Sequence, residues 1–386
     1  MNQKVYNSEG DKGKMWRAIN QISNGYSSSN KKGNVISELV DNNGNAITEQ
    51  KPMADLLNSY FNNVGGNLDS ILPKGNDPLK HVRKDVLSSM FLSLTSNEEI
   101  RILINNLLKK SPGPDGITGY LLKMTQDVII PIFTDLFNKC MKDGVFPDVF
   151  KNAQITPLFK DGDETQTNNY RPISLLSQVA KLFERVLHKR LYKFLQKNKI
   201  LCLNQFGFRK NFSTLLAVSE IYDKLLENLD KNLNSCVVFL DLRKAFDTVN
   251  HNILLSKMER YGIRGPVLSL FKSYLCDRKH FVKLGNFSSS SLLMNIGVPQ
   301  GSVLGPLLFL LYINDMPNVT TLFIRLFADD TFLSFQHKNS KKLNKIVNRE
   351  LDKVADWLLD NRLSLNVLKS KFMLVSRQKN LKRKKF

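Results

Sequence analysis

Apolar residues recur along this chain in two rhythms, and the change from one to the other marks its elements. At the helical spacing of three and four, Ile100, Leu103, Ile104, Leu107 and Leu108 form one stripe behind a capping box of Ser96 and Glu99. Two longer stripes follow: Leu182, Phe183, Val186, Leu187, Leu191, Phe194 and Leu195 within 178–197, and Leu343, Val347, Leu351, Val354 and Leu358 within 341–363. Other helical patterns cover 52–63, where Ala54, Leu57, Tyr60, Phe61 and Val64 share a face, and the stretches 119–141, 213–228 and 246–261. The run 307–313 is apolar all round, the pattern of a helix with no solvent face. Short apolar runs bounded by turn residues predict strands at 153–159, 237–240 and 372–375, and a hairpin over 35–47 turning through Asn42-Asn43-Gly44. Two more strands flank Phe327-Ala328-Asp329-Asp330 within 326–333. Helices mixed with paired strands in this way predict an α+β fold.

The polar interruptions carry the chemistry. An isolated Asp-Asp can be a solvated turn, because Asp is a common turn residue. At roughly 4 Å and an effective dielectric near 20, however, two like charges repel by about 4 kcal/mol, so a pair at a hairpin tip is usually held by a cation or a proton. A further carboxylate, Asp241, ends the apolar run Val237-Val238-Phe239-Leu240, and a buried strand is an ordinary way to aim one ligand at a metal from a rigid sheet. Lys160 follows the 153–159 strand, and Arg171 follows the polar loop 161–169. One point charge and one bidentate fork at strand ends suit a polyphosphate, although on spacing alone both read equally well as surface cations. In the turn 109–116, alternating Pro and Gly exclude regular structure, and Gly113 and Gly116 permit close backbone approach. A second turn, 297–306, leads into the all-apolar helix with a free backbone and the Gln300 amide at its mouth. Neither turn has the spacing of a P-loop.

Composition narrows the partners. The net charge of +21 over 386 residues implies a polyanion, and 42% hydrophobic residues suffice for a sizeable core. No apolar run approaches the roughly 18 residues of a spanning helix, so nucleic acid is the expected partner and a membrane is not. Residues 1–14 are polar and lack a signal-peptide core, which predicts an intracellular protein of the nucleus or cytoplasm, not a secreted one. Cys140, Cys202, Cys236 and Cys276 stand far apart among apolar neighbours and read as reduced core thiols. The basic end 381–385 reads as a nuclear address, a phosphate contact or a solvated tail.

Five motifs then occur in a fixed order: Ser-Pro-Gly-Pro-Asp-Gly at 111–116, Asn-Tyr-Arg-Pro-Ile-Ser at 169–174, Phe-Leu-Asp-Leu-Arg-Lys-Ala-Phe-Asp at 239–247, Gly-Val-Pro-Gln-Gly-Ser at 297–302 and Phe-Ala-Asp-Asp at 327–330. From Trp16 onward the chain resembles the reverse transcriptases of non-LTR retrotransposons of the LINE class, jockey-like elements in particular. The resemblance implies a right-hand polymerase with an antiparallel palm sheet packed on helices and the thumb largely absent. It divides the chain into an N-terminal linker or accessory region (1–95), a fingers part (96–235) and a palm part (236–386). It implies that Asp241, Asp329 and Asp330 hold two Mg²⁺ ions, with Mn²⁺ as a substitute. Lys160 and Arg171 then hold the incoming triphosphate, Gln300 and Gly301 line the nucleotide pocket, and Phe246 lies under the sugar. Lys369 is the candidate proton donor to pyrophosphate, with Lys371 a near neighbour. The implied partners are an RNA template, a DNA primer or target and dNTPs.

Two departures from the family pattern are expected to matter. No endonuclease domain precedes the region, and the chain stops soon after Val375, so target cleavage is not expected of it and its grip on template and primer is expected to be weak. An inactive nucleic-acid-binding remnant is one competing function. An RNA-dependent RNA polymerase is the other, and Phe246, where a small or polar group would admit a ribose, separates it from DNA synthesis.

Overall fold

The structure, a computed structural model, describes residues 36–82, 86–108 and 111–377. The sequence readings of 1–14, Trp16, Lys109, Lys110 and 381–385 lie outside these residues. The first described elements are a hairpin of β1 (Leu39–Val40) and β2 (Ala46–Ile47). Its turn is held by Asp41, whose Oδ1 accepts from the amides of Asn43 and Asn45. Helix α1 (Gln50–Ser70) buries Met53, Ala54, Leu57 and Phe61, the face expected from the pattern.

Helix α2 (Asn97–Asn105) begins with only half of the expected capping box. Ser96 accepts from the Glu99 amide, but the Glu99 carboxylate turns away to Thr95 Oγ1, Lys189 and Arg190. Two cations outbid one backbone N–H for a carboxylate, and they hold Glu99 well below the usual range, at about 2. Leu108, expected on the inner stripe, lies past the helix end and is 65% exposed. The 119–141 pattern is two helices, α3 (Gly119–Met124) and α4 (Gln126–Asp143). Thr125 separates them, with its amide and its hydroxyl both donating to Leu121 O.

Next come β3 (Asn152–Phe159), β4 (Tyr170–Leu176), α5 (Gln178–Lys197), α6 (Thr214–Asp230) and β5 (Asn234–Leu240). The Ser-Pro-Gly-Pro turn rests on the start of α5, where Gln178 Nε2 donates to Ser111 O at 3.1 Å. The single helix expected over 246–261 is instead a 3-10 turn, Ala245–Thr248, followed by α7 (His251–Arg260). Tertiary bonds outcompete helical ones there: Val298 N donates to Phe246 O at 2.8 Å and Gly297 N to Val249 O at 2.9 Å. Asn250 then caps the new helix, its side chain accepting from the amides of Asn252 and Ile253.

The chain continues through α8 (Gly265–Leu275), β6 (Arg278–Leu284), β7 (Phe287–Ser288), β8 (Leu292–Met294), α9 (Gly305–Ile313), β9 (Phe323–Phe327), β10 (Asp330–His337), α10 (Ser340–Asp360) and β11 (Lys371–Val375). One sheet has the order β11-β5-β10-β9 and is antiparallel throughout. The other runs β4-β3-β6-β7, with β8 also on β6, and its β3–β6 pair is parallel. Cys236, Val238 and Leu240 of β5 enter the main core, which the period-2 alternation of a strand requires of every second residue. The fold is thus α+β, as the pattern predicts. Cys140 and Cys236 are buried, and none of the four cysteines is in a disulfide.

Helix α9 is buried from Leu307 to Ile313, as an all-apolar pattern demands. Its mouth is not free backbone: the buried Glu184 of α5 accepts from Val303 N and Leu304 N, an anion placed at a helix N-terminus. Beyond its other end, Lys257 Nζ meets Asp315 Oδ1 at 2.5 Å with side chains 0% and 1% exposed. Lys257 also donates to Tyr312 O at 2.7 Å, and Asp315 Oδ2 accepts from Trp357 Nε1 at 3.1 Å. This cluster ties α7, α9 and α10 together, and breaking one half strands a charge. Lys257→Met is expected to cost roughly 3–5 kcal/mol in denaturant unfolding, and adding Asp315→Asn is expected to restore most of it. Equal losses for the single and double variants would contradict the pairing.

Candidate active site

The β9–β10 register pairs Phe327 with Asp330, leaving Ala328 and Asp329 as a two-residue turn. Ala328 has φ 56°, a conformation that costs a non-glycine residue about 1–2 kcal/mol. On its other side β10 pairs with β5, so the hairpin lies beside the strand whose end carries Asp241. The loop before β11 fixes Asp241. Asn366 N donates to its carbonyl at 2.8 Å, Asn366 Nδ2 to its Oδ2 at 2.7 Å, and its own amide donates to Ser370 Oγ at 3.3 Å.

Asp241 and Asp329 line one cleft of about 730 Å³, whereas Asp330 opens on a neighbouring groove past Phe239 and Phe332. Among the described residues no three acidic, His or Cys groups already enclose a common point as a closed metal cage would. The carboxylates nevertheless feel one another. Burial first, then Asp330 and Asp241, push Asp329 above the usual carboxylate range; burial and then Asp241 do the same to Asp330. Hard oxygen donors set this close to one another fit a divalent cation, which would remove the repulsion.

The same cleft is also lined by cations. Strand β3 ends at Lys160, and Arg171 is the second residue of β4, in register with Leu158. Lys160 N bonds Asn169 O at 2.9 Å, closing the loop between them. Lys369 joins this pair. Its ammonium, ahead of burial and Arg171, holds Lys160 below the ordinary lysine range. Lys371 does not compete for this place, since it is exposed and donates to Leu368 O at 3.0 Å. Sequence reasoning missed Lys244, which has φ 48°, lies 5.5 Å above the Tyr60 ring and donates to Asn168 O at 3.3 Å. Burial, and then Lys160, Arg171 and Lys369, lower its pKa. It missed Asn366 as well, and also Tyr60, Val64 and Leu68, the part of α1 that walls the cleft. A helical stripe of aromatic and aliphatic residues reads as core, so nothing in the sequence marked that wall.

The floor is aromatic and polar. Phe246 lines the cleft and stacks on Phe309 at 4.8 Å between centroids. Gln300 Nε2 donates to Asp247 Oδ1 at 2.8 Å, and Gln300 O accepts from Ser174 N at 2.7 Å. Gly301, at φ 118°, lies so close to Ser174 that a Cβ would sit 2.6 Å from its carbonyl oxygen. Burial pushes Asp247 up to about 6, against the opposing effects of Gln300 and Lys244. A carboxylate raised on folding is destabilising where it must ionise, so the penalty is absent below the unfolded value of 3.8 and grows as pH rises through about 6. Asp247→Asn keeps the acceptor for Gln300. It is expected to gain stability over the wild type by roughly 1–3 kcal/mol at pH 8 and almost none at pH 4, measured by denaturant unfolding. A gain independent of pH would contradict the assignment.

The reverse transcriptase (RNA-dependent DNA polymerase) family profile matches residues 159–385. The chain is 34% identical over 270 residues to the probable RNA-directed DNA polymerase from transposon BS of Drosophila melanogaster, covering 67% of this chain and 30% of that protein. It is 32% identical over 292 residues to the RNA-directed DNA polymerase from mobile element jockey of the same species, covering 73% and 32%. The X-element protein of that species is 31% identical over 279 residues, 71% of this chain and 31% of its own length. The chain spans about a third of the length of these relatives. With the profile covering more than half of it and jockey, BS and X-element proteins as its relatives, the chain belongs to the reverse transcriptase family, in the jockey-like non-LTR retrotransposon branch.

Proposed function

We propose that this chain carries the nucleotidyl-transfer site of an RNA-directed DNA polymerase, which extends a DNA primer 3′-hydroxyl with dNTPs on an RNA template. The observation that carries the reading is the meeting of two like-charged clusters in one cleft: Asp241 and Asp329, and with them Lys160, Arg171, Lys244 and Lys369. A magnesium–nucleoside triphosphate offers charge of the opposite sign to each cluster. Residues 96–235 act as fingers and 236–386 as palm, with 1–95 an accessory region.

Asp241, Asp329 and Asp330 hold two Mg²⁺ ions, for which Mn²⁺ can substitute. When bound, these ions lower the pKa of the primer hydroxyl and neutralise the triphosphate. Arg171 offers its planar fork to phosphate oxygens, and Lys160 and Lys244 offer point charges. As the 3′-hydroxyl gives up its proton to water and its oxygen joins the α-phosphorus, the bond to pyrophosphate breaks and Lys369 gives a proton to the departing oxygen. Gln300, oriented by Asp247, and Gly301 shape the base and sugar pocket, and Phe246 forms its floor. The rigid Phe246–Phe309 stack leaves a ribose 2′-hydroxyl without a hydrogen-bond partner.

Asp329→Asn is expected to lower primer extension by at least about a thousandfold, roughly 4 kcal/mol of transition-state stabilisation, while the protein stays folded. Near-normal extension by the folded variant would overturn the site. Phe246→Ala is expected to raise the efficiency of ribonucleotide relative to deoxyribonucleotide incorporation by at least about tenfold. A wild type that already uses both equally would contradict DNA synthesis as the function.

A further inference from the structure

Gln205 lies outside the cleft, is 2% exposed, and uses both ends of its amide on the turn that carries Asp329. Its Oε1 accepts from Ala328 N at 2.9 Å and from Gly207 N at 2.8 Å, and its Nε2 donates to Ala328 O at 3.3 Å. The flanking backbone runs beside β9 as an added parallel partner. Phe206 N donates to Leu326 O at 2.8 Å and Leu326 N to Asn204 O at 2.8 Å, with Gln205 bridged to Leu326. Gly207 passes so near the turn that a Cβ there would sit 2.2 Å from Ala328 N.

From this arrangement we infer that Gln205 is a positioning residue for the carboxylates, a reading that rests on the active-site assignment above. Ala328 must hold a left-handed conformation between Phe327 and Asp329, and its N–H and C=O are the groups a slack turn would turn toward water. One buried side chain takes both. A primary amide is the group that can do this, since it accepts and donates from adjacent atoms, whereas a carboxylate accepts only. The hairpin is therefore gripped on two edges, by β5 with Asp241 on one and by 204–207 on the other. The grip fixes where Asp329 and Asp330 project relative to Asp241. Groups one bond away from metal-binding residues commonly change affinity or rate by about 10–100-fold when removed.

The test compares Gln205→Ala and Gln205→Glu with Asn204→Ala. The control loses the Asn204 Nδ2 bond to Ile324 O in the same strand, four residues before the turn. Mn²⁺ binding is followed by electron paramagnetic resonance well below each melting temperature, and extension is followed on an RNA template with a DNA primer. Both Gln205 variants are expected to bind Mn²⁺ at least about tenfold more weakly and to lose kcat about 10–100-fold, with KM for template-primer within about twofold. Asn204→Ala is expected to lose thermal stability and keep both properties. In the wild type, the Ala328 amide is expected to exchange with solvent as slowly as those of β10, a measurement that needs no variant to fold. Normal Mn²⁺ affinity and kcat in the Gln205 variants, equal losses in Asn204→Ala, or fast exchange at Ala328 would each overturn the inference. If Asp329→Asn also proved active, the active-site reading itself would fall; if only the Gln205 variants were silent, the positioning role alone would.

Discussion

Like charges held close together are the constraint on which this structure turns. Burial, Asp330 and Asp241 raise the pKa of Asp329, burial and Asp241 raise that of Asp330, and in the same cleft Lys369 and Arg171 lower that of Lys160. Neither cluster stabilises the protein by itself, because repulsion inside each is strengthened by partial burial. They persist because a scaffold larger than the site fixes their backbones. Asp241, Asp329, Lys160 and Arg171 all sit at strand ends, where ladder hydrogen bonds set position and the side chain is left free for a ligand.

In the scaffold, by contrast, the most deeply buried ion pair is given partners on both sides. Lys257 and Asp315 satisfy each other and also Tyr312 O and Trp357 Nε1, so that three helices behind the antiparallel sheet are held in one arrangement. Glu184 answers two amides at the head of the buried helix α9, and that helix in turn supplies Phe309 as the backing of Phe246. Backbone strain is present at the chemistry too, at Ala328 and Lys244, whose φ values of 56° and 48° place them in the left-handed region. Rigid packing behind and unrelieved charge in front is the arrangement expected of a preorganised site.

Much of this was legible in the sequence. Helix α5 falls where its stripe predicts, the Asp pair lies at a hairpin tip, and Asp241 ends a buried strand, because local periodicity and tertiary burial agree at those places. The sequence misled where distant backbone competes with local preference. The helix expected from Phe246 gives way to a 3-10 turn because residues 297 and 298 take its carbonyls, and Glu99 abandons the capping box for Lys189 and Arg190. Residues whose role depends on a partner far along the chain were invisible: Asn366 for Asp241, Tyr60 for Lys244, Gln205 for Ala328. Only the run of motifs in order made the acidic and basic positions readable together, since spacing alone cannot say that two strand ends face one cleft.

The central claim is that the acidic and basic walls act on one ligand, and the dependence of dNTP binding on Mg²⁺ tests it most directly. Binding would be titrated to the protein with an RNA template and a chain-terminated DNA primer, with and without saturating Mg²⁺. If both walls engage the same molecule, Mg²⁺ is expected to tighten dNTP binding by at least about tenfold, a coupling of roughly 1.4 kcal/mol or more. If the basic wall were an independent anion patch, Mg²⁺ would neutralise part of the triphosphate and leave binding unchanged or weaker, and that result would contradict the account.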